Sequence, residues 1–502
     1  MTKYTKKIAF ANIPLNPDRD VALYQQLYDG LREAILTGHL RAKTRLPSTR
    51  TLAKELNISR NTVMNAFEQL LMEGYLEGKV GSGTYVAQTL PDELLHTSFA
   101  KEKTKNITQK NSGLSKRGQM IASIPVSVAQ RYRMSLDNDS PTPFQNGLPA
   151  YDEFPFRMWT KMVANCWSNL PRKIFGYGAS GGYKPLREAI ANHLATTRAV
   201  KCSPEQVIIV SGSQQALDLT ARLLLDPGDH VWVEDPCYMG AYNALQAAGA
   251  KIIPVPVDNE GIDVSQGIIK SSQARLVYVT PSHQFPLGMA MSLARRVALL
   301  EWAKSSNAWI VEDDYDSDFR YVGRPIAALQ GLDSEGRVIY MGTFSKVLSP
   351  TLRLGYLVVP TSLADAFTSA KALSDRHSPQ VEQIVLTDFI VEGHFSQHIR
   401  RMRALYSERQ QALIEAAKQY ASGLLTVNAN ETGMHVIGWL PDGSDDVAIS
   451  KKLISKQIIA YPLSMYSIEA KQKPGLVLGY AGFSSEDIFL AMKKLALVLE
   501  NI

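Results

Sequence analysis

Arg337-Val-Ile-Tyr-Met-Gly-Thr343-Phe-Ser345-Lys346-Val-Leu-Ser-Pro-Thr-Leu-Arg353-Leu-Gly-Tyr-Leu-Val-Val359 is an apolar strand, a small-residue turn carrying a lysine, and a second apolar strand. A lysine between two buried strands needs a reason. In an apolar surround an ammonium loses hydration, its pKa falls, and the amine becomes a nucleophile able to form a Schiff base with an aldehyde. Thr343, Ser345 and Arg353 offer two hydroxyls and a guanidinium to a phosphate on that aldehyde. A solvated loop lysine is the alternative, and the residues upstream decide against it.

Trp309-Ile-Val-Glu-Asp313-Asp314-Tyr315 is a short strand ending in acids and a phenol. Pyridoxal phosphate acts as an electron sink only while its ring nitrogen is protonated, which a carboxylate at a strand end secures. Val207-Ile-Ile-Val-Ser211-Gly212-Ser213-Gln214-Gln215 leads from a strand through a Gly-Ser turn into a helix. Backbone N–H groups and the positive end of a helix dipole then face any phosphate placed there. His230-Val-Trp-Val-Glu-Asp235-Pro-Cys-Tyr238 puts an aromatic ring just past another strand.

These motifs, in this order, resemble the fold type I aminotransferases from about Gln145 onward. The resemblance implies that Lys346 carries the cofactor as a Schiff base, Asp313 pairs with the pyridine nitrogen, Tyr315 bonds the ring hydroxyl and Tyr238 stacks on the ring. It also implies phosphate contacts from Ser213, Gln214, Ser345 and Arg353, with Thr343 beside them.

Composition bounds the rest. At 502 residues the chain is too long for one core, so two or three domains are expected. With 45% hydrophobic and 20% charged residues it reads as an ordinary globular protein, and no apolar run is long enough for a membrane span. Cys166, Cys202 and Cys237 are odd in number and far apart, which fits reduced cytoplasmic thiols better than a disulfide frame or a metal site. Residues 1–90 hold 12 Lys/Arg against 8 Asp/Glu, residues 91–140 hold 8 against 5, and the remainder 34 against 35. The basic excess therefore lies in the first third, where a polyanion partner is plausible.

There, Leu23, Leu27, Leu31, Ala34 and Ile35 share one helical face before Gly38; Leu52, Ala53 and Leu56 mark a second helix; Ser59 caps a third with Val63, Phe67, Leu70 and Leu71 inward. Tyr75 to Val86 alternates around glycines as a hairpin, completing a winged helix-turn-helix. Arg60 and Asn61, at the start of the second helix of the motif, are placed to read bases, while Arg45, Arg50, Thr62 and Lys79 suit phosphates. This stretch resembles the GntR-type winged helix of bacterial regulators.

The expected domains are a winged helix at 1–90, a polar linker at 91–140 and an aminotransferase-like part at 141–502, with a mainly parallel α/β large domain at about 175–360 and a small α+β domain from about 363. Two metal-like patterns are set aside. Asp314-Tyr-Asp316-Ser-Asp318 lacks the glycine and glutamate of a calcium loop, and His394 and His398 lack the companion glutamate of a zinc helix.

A winged helix joined to an aminotransferase-like domain resembles the MocR subfamily of GntR regulators. That resemblance implies a homodimer, each site completed by the partner chain, that binds double-stranded DNA and uses pyridoxal 5'-phosphate to sense a small amine or amino acid, or the cofactor itself. Two departures bear on catalysis. Phe285 stands where working transaminases carry an asparagine that bonds the ring hydroxyl, and Val477 where they carry the arginine that clamps the substrate α-carboxylate. Without a bidentate clamp an α-amino acid loses orientation at the reacting carbon, so weak or absent transamination is expected. The alternative is an active aminotransferase with an attached DNA-binding domain.

Overall fold

The computed structural model describes residues 15–17, 21–79, 83–88, 113–124, 142–169 and 171–501, and it divides the chain into two compact units, 1–113 and 114–502. In the first unit, α1 (Leu23–Leu36), α2 (Thr49–Glu55) and α3 (Arg60–Met72) precede an antiparallel pair, β1 (Leu76–Lys79) and β2 (Gly83–Val86). Both caps of the helix-turn-helix form as the residue types dictate: Ser48 Oγ accepts from Thr51 N–H at 3.2 Å and Ser59 Oγ from Thr62 N–H at 3.1 Å. Leu27, Leu31, Leu52, Val63, Phe67 and Leu70 fill the core. Leu71 does not, since 37% of it is exposed. At α3's pitch it lies about 100° round from Leu70 and so misses the seam.

Within the span expected to be a linker, Lys116–Ser123 is a helix capped by Ser115 and belongs to the second unit. None of its residues is buried, so no apolar stripe marked it in advance. Residues 91–112 and 125–140 lie outside the described ones.

The second unit holds β3 (Val207–Val210), β4 (His230–Asp235), β5 (Lys251–Asp258), β6 (Gly261–Ile262), β7 (Leu276–Val279), β8 (Trp309–Asp314), β9 (Val338–Thr343) and β10 (Gly355–Val358) in one sheet, ordered β3-β10-β9-β8-β7-β4-β5-β6. The neighbours from β9 to β5 pair in parallel, whereas β10 is antiparallel to both β3 and β9. Strands such as Val207–Val210 and Leu276–Val279 are buried along their whole length because the sheet is covered on both faces. A second, antiparallel sheet orders β11 (Thr426–Val427), β12 (His435–Trp439), β14 (Gly475–Gly479) and β13 (Tyr461–Pro462). The helix His394–Tyr420 packs against the helix Ser485–Glu500 beside it. Its arginines are largely spoken for: Arg409 pairs with Asp152 at 2.7 Å and donates to Ala481 O, and Arg403 donates to Asp318 O. No helix among the described residues is long and apolar enough to cross a membrane.

Candidate functional site

The carboxyl ends of β3, β4, β8 and β9 converge, as expected of a parallel sheet with its ligand at a switch in strand order. Gly355 on β10 faces Thr343 on one side and Val210 on the other, which brings the turn after β9 beside the start of the helix Ser213–Leu224. Gly212 (φ +120°) precedes that helix, and a Cβ there would lie 3.8 Å from an Arg353 guanidinium nitrogen. A left-handed Arg353 (φ 50°) directs the guanidinium to this point. Ser213, Gln214, Arg353 and the Thr343–Ser345 turn thus form a cradle of N–H, hydroxyl and cationic groups. Thr343 Oγ1 accepts from Ser345 N–H at 3.1 Å, so the turn is already ordered.

Lys346 is half-buried and donates to Gly147 O at 2.9 Å. The approach needs glycine twice over. Gly147 has φ +75°, and a Cβ there would sit 2.4 Å from Lys346 Nζ. The surround is thus more polar than the two flanking strands suggested, because a carbonyl 199 residues earlier reaches the amine.

Asp313, near the end of β8, is 5% exposed. Its Oδ2 accepts from Tyr278 OH at 2.6 Å, while Oδ1 has no hydrogen-bond partner among the described residues. Burial pushes this carboxyl up to about 7, against the lowering hydrogen bond from Tyr278. A buried carboxylate with one oxygen unmet is a seat for a cationic N–H. Tyr238 follows β4, its hydroxyl 3.4 Å from the Gln214 amide and its ring edge-on to Phe285 at 5.9 Å. The chain just before it is tied down firmly. Asp235 accepts from the N–H groups of Ile468, Glu469 and Ala470, each at 2.8 Å, and Cys237 N–H donates to Tyr466 O at 3.0 Å.

Tyr315 differs from its expected surroundings. Its hydroxyl lies 3.0 Å from His283 Nδ1, so it does not stand alone where the asparagine is missing. His283, His435 and Tyr278 carry no motif in the sequence, Asp316 stands out only in the calcium-loop pattern set aside above, and all four come into the site by folding. The one advance signal was that His283 and Asp316 abut residues already singled out. Phe285 and Val477 lie in one apolar cluster with Ile437, Ile459, Leu463 and Tyr466. Of the two metal-like patterns, Asp314 is bonded by Arg198 and Tyr340 and Asp316 by His283, while buried His398 contacts Val347 O and half-buried His394 contacts Glu392.

On the first unit Arg45, Arg50, Arg60, Asn61 and Lys79 are exposed and Thr62 half-buried. Arg60 and Asn61 open α3, and Lys79 Nζ lies 5.4 Å over the Tyr85 ring.

Residues 23–86 match the model of the bacterial regulatory proteins of the gntR family, and residues 145–494 that of aminotransferase class I and II. The chain is 41% identical to the Probable rhizopine catabolism regulatory protein MocR of Rhizobium meliloti over 93% of its own length and 92% of the relative's. The chain belongs to the MocR subfamily of GntR-type transcriptional regulators. It is also 30% identical to the HTH-type pyridoxine biosynthesis transcriptional regulator PdxR of Corynebacterium glutamicum over 95% of each chain. Among solved structures, Pyrococcus horikoshii kynurenine aminotransferase, determined in complex with PMP, aligns at a TM-score of 0.70 and 29% identity over 78% of this chain and 97% of its own. Like other MocR-type chains, this one is a DNA-binding transcriptional regulator with an aminotransferase-like domain, and its cofactor is pyridoxal 5'-phosphate. GntR regulators bind DNA, and aminotransferase-fold proteins are typically dimers.

The residues fit that cofactor. The unmet Asp313 Oδ1, the amine of Lys346 with its reserved space at Gly147, and the cradle around Gly212 match a ring nitrogen, an aldehyde and a phosphate.

Proposed function

We propose that the aminotransferase-like unit is a sensor for a small amine, and that occupancy of the Lys346 site changes the affinity of the winged helix for its DNA. The supporting observation is that Lys346, Asp313 and the Gly212–Arg353 cradle come together while Val477, where the resemblance puts the clamping arginine, lies in an apolar cluster. Bound pyridoxal phosphate supplies an electrophilic carbon to which amines add. Lys346 Nζ would hold that carbon until an incoming amine takes its place. Asp313 would keep the proton on the ring nitrogen, Tyr238 would cover one ring face, and Ser213, Gln214, Thr343, Ser345 and Arg353 would anchor the phosphate.

Val477 is wholly buried in an apolar cluster and offers nothing to a carboxylate. An amino acid entering by its amine would then keep rotational freedom about the reacting bond, which costs rate far more than it costs binding. This favours a ligand switch over turnover, and a ligand recognised by its amine. The alternative reading, an active aminotransferase, keeps the same Lys346 and Asp313 chemistry.

The test is to add a panel of amino compounds, with and without carboxylates, to the cofactor-loaded chain while following visible absorption and DNA binding together. A lasting spectral shift with a changed DNA affinity is expected for one class of amine. Continuous formation of a keto product at a multiple-turnover rate would establish the alternative.

For DNA, Arg60, Asn61, Arg45, Arg50, Thr62 and Lys79 are the proposed contacts, in homodimers on paired half-sites. Arg60→Ala should remove about 1–3 kcal/mol of base discrimination, so binding to operator and random DNA converges by about 5- to 150-fold. The visible spectrum of the loaded protein should not change. Undiminished preference for the operator would take Arg60 out of the reading set.

A further inference from the structure

His283 and Asp316 form a compact buried pair behind the half-buried Tyr315, and neither of the two is among the expected cofactor contacts. His283 Nδ1 lies 3.0 Å from Tyr315 OH and 3.0 Å from both Asp316 carboxylate oxygens. His283 and Asp316 are each 1% exposed. The imidazole position is reserved by the backbone: Gly433 has φ +102°, and a Cβ there would fall 2.1 Å from His283 Cε1. Phe285, two residues on from His283, stands where the resemblance to working transaminases puts an asparagine.

The neighbours assign the hydrogen on this ring. An ionised Asp316 can only accept, so it calls for a hydrogen on Nδ1. His283 Nε2 has no hydrogen-bond partner among the described residues. A neutral ring with its single hydrogen on Nδ1 leaves only a lone pair unmet there, whereas the opposite tautomer or an imidazolium would bury an unpaired N–H. His435, with its ring centroid 5.2 Å away, is itself held neutral: burial, then His283, pushes it down to about 3, and its Nε2 contacts Pro286 O at 3.0 Å. The other charged or titratable groups that act on the pair are Asp313 and Asp314 at the end of β8, Lys346 in the turn after β9, and the Tyr321 and Tyr480 phenols.

We infer that His283 is a positioning residue that replaces the missing asparagine indirectly: its single Nδ1–H, shared between the Asp316 carboxylate and the Tyr315 oxygen, makes the phenol a stronger, fixed donor to the cofactor's ring hydroxyl. The inference rests on the cofactor reading above. A hydroxyl whose oxygen already accepts a hydrogen bond is polarised, so the hydrogen bond that its own O–H donates strengthens. That stabilises negative charge on the ring oxygen, and the cofactor-loaded site gives up its proton at lower pH.

The test is a pH titration of the visible band of the cofactor-loaded full-length chain. His283→Leu should raise the midpoint by about one pH unit, a tenfold change in the protonation equilibrium. Asp316→Asn should move it the same way by less, and His283→Gln, which keeps an N–H donor, should restore part of the shift. In a Tyr315→Phe background His283→Leu should add nothing, because the effect passes through the phenol. An unmoved midpoint in His283→Leu, or an equal shift in the Tyr315→Phe background, overturns the inference. If His283→Leu does not fold, ¹⁵N-histidine NMR of the unaltered, cofactor-free chain decides: a protonated Nδ1 on His283 supports the relay and a bare Nδ1 overturns it. That measurement needs no bound cofactor, so a chain that shows no visible band would count against the cofactor reading, while the Nδ1 signal separately tests the hydrogen that His283 offers to Tyr315.

Discussion

The Lys346→Ala chain will lose its cofactor on desalting and will bind DNA identically with and without the amine that acts on the unaltered protein. Everything else that would hold pyridoxal phosphate is non-covalent: the cradle at Gly212 and Arg353, the Asp313 carboxylate and the Tyr238 ring. Among the described residues Lys346 brings its amine to this point, donating to Gly147 O at 2.9 Å, where a Cβ at position 147 would lie 2.4 Å from Nζ. Alanine removes the bond and also the group that an incoming amine displaces, so both loading and response fail together. Visible absorption before and after desalting, and DNA binding at rising amine concentration, are the readouts. A variant that still responds at the same amine concentration would show that sensing does not run through Lys346.

The second large effect is on stability. Arg198 is 5% exposed, and its Nε donates to Asp314 Oδ2 at 2.8 Å; Tyr340 OH donates to the same oxygen at 2.6 Å, and Arg198 also reaches Ser282 Oγ and Ile326 O. Burial pushes the Asp314 carboxyl up, but Arg198 and these hydrogen bonds win and hold it below the usual carboxylate range. Arg198→Met leaves that carboxylate buried with neutral hydroxyl partners and no cation, and should cost ~3–5 kcal/mol in urea unfolding of the cofactor-free chain. Adding Asp314→Leu should recover much of the loss, since an apolar pair needs no compensation. A loss under about 1 kcal/mol would mean that solvent reaches Asp314 when Arg198 is gone. The residue next to Asp314 is Asp313, so the same substitution should weaken cofactor retention.

Much of this protein was legible from short stretches. The caps at Ser48 and Ser59, the apolar seam of α1 and α3, the hairpin of β1 and β2, the run of buried strands and the family-like placement of Lys346 and Asp313 all depend on residues within a few positions of one another. Helix periodicity and capping act over one or two turns, so a sequence displays them directly. The misreadings have the same root. Leu71 satisfies the helical pattern yet faces out, and the helix Lys116–Ser123 has no apolar stripe to announce it.

What the tertiary structure alone decided are the partners. Gly147 meets Lys346 from 199 residues away, Arg198 meets Asp314 across 116, and His283 meets Tyr315 and Asp316 across 32 and 33. The sequence by itself determined which chemistry is present and that it would gather at strand ends. It did not determine that Val477 lies in an apolar cluster with Phe285, or that a histidine backs the phenol beside the missing asparagine. Those facts follow from a strand order that departs from chain order, β3-β10-β9-β8-β7-β4, because in such a sheet spatial neighbours are set by hydrogen-bonded pairing and side-chain packing across the whole unit, which no local pattern encodes.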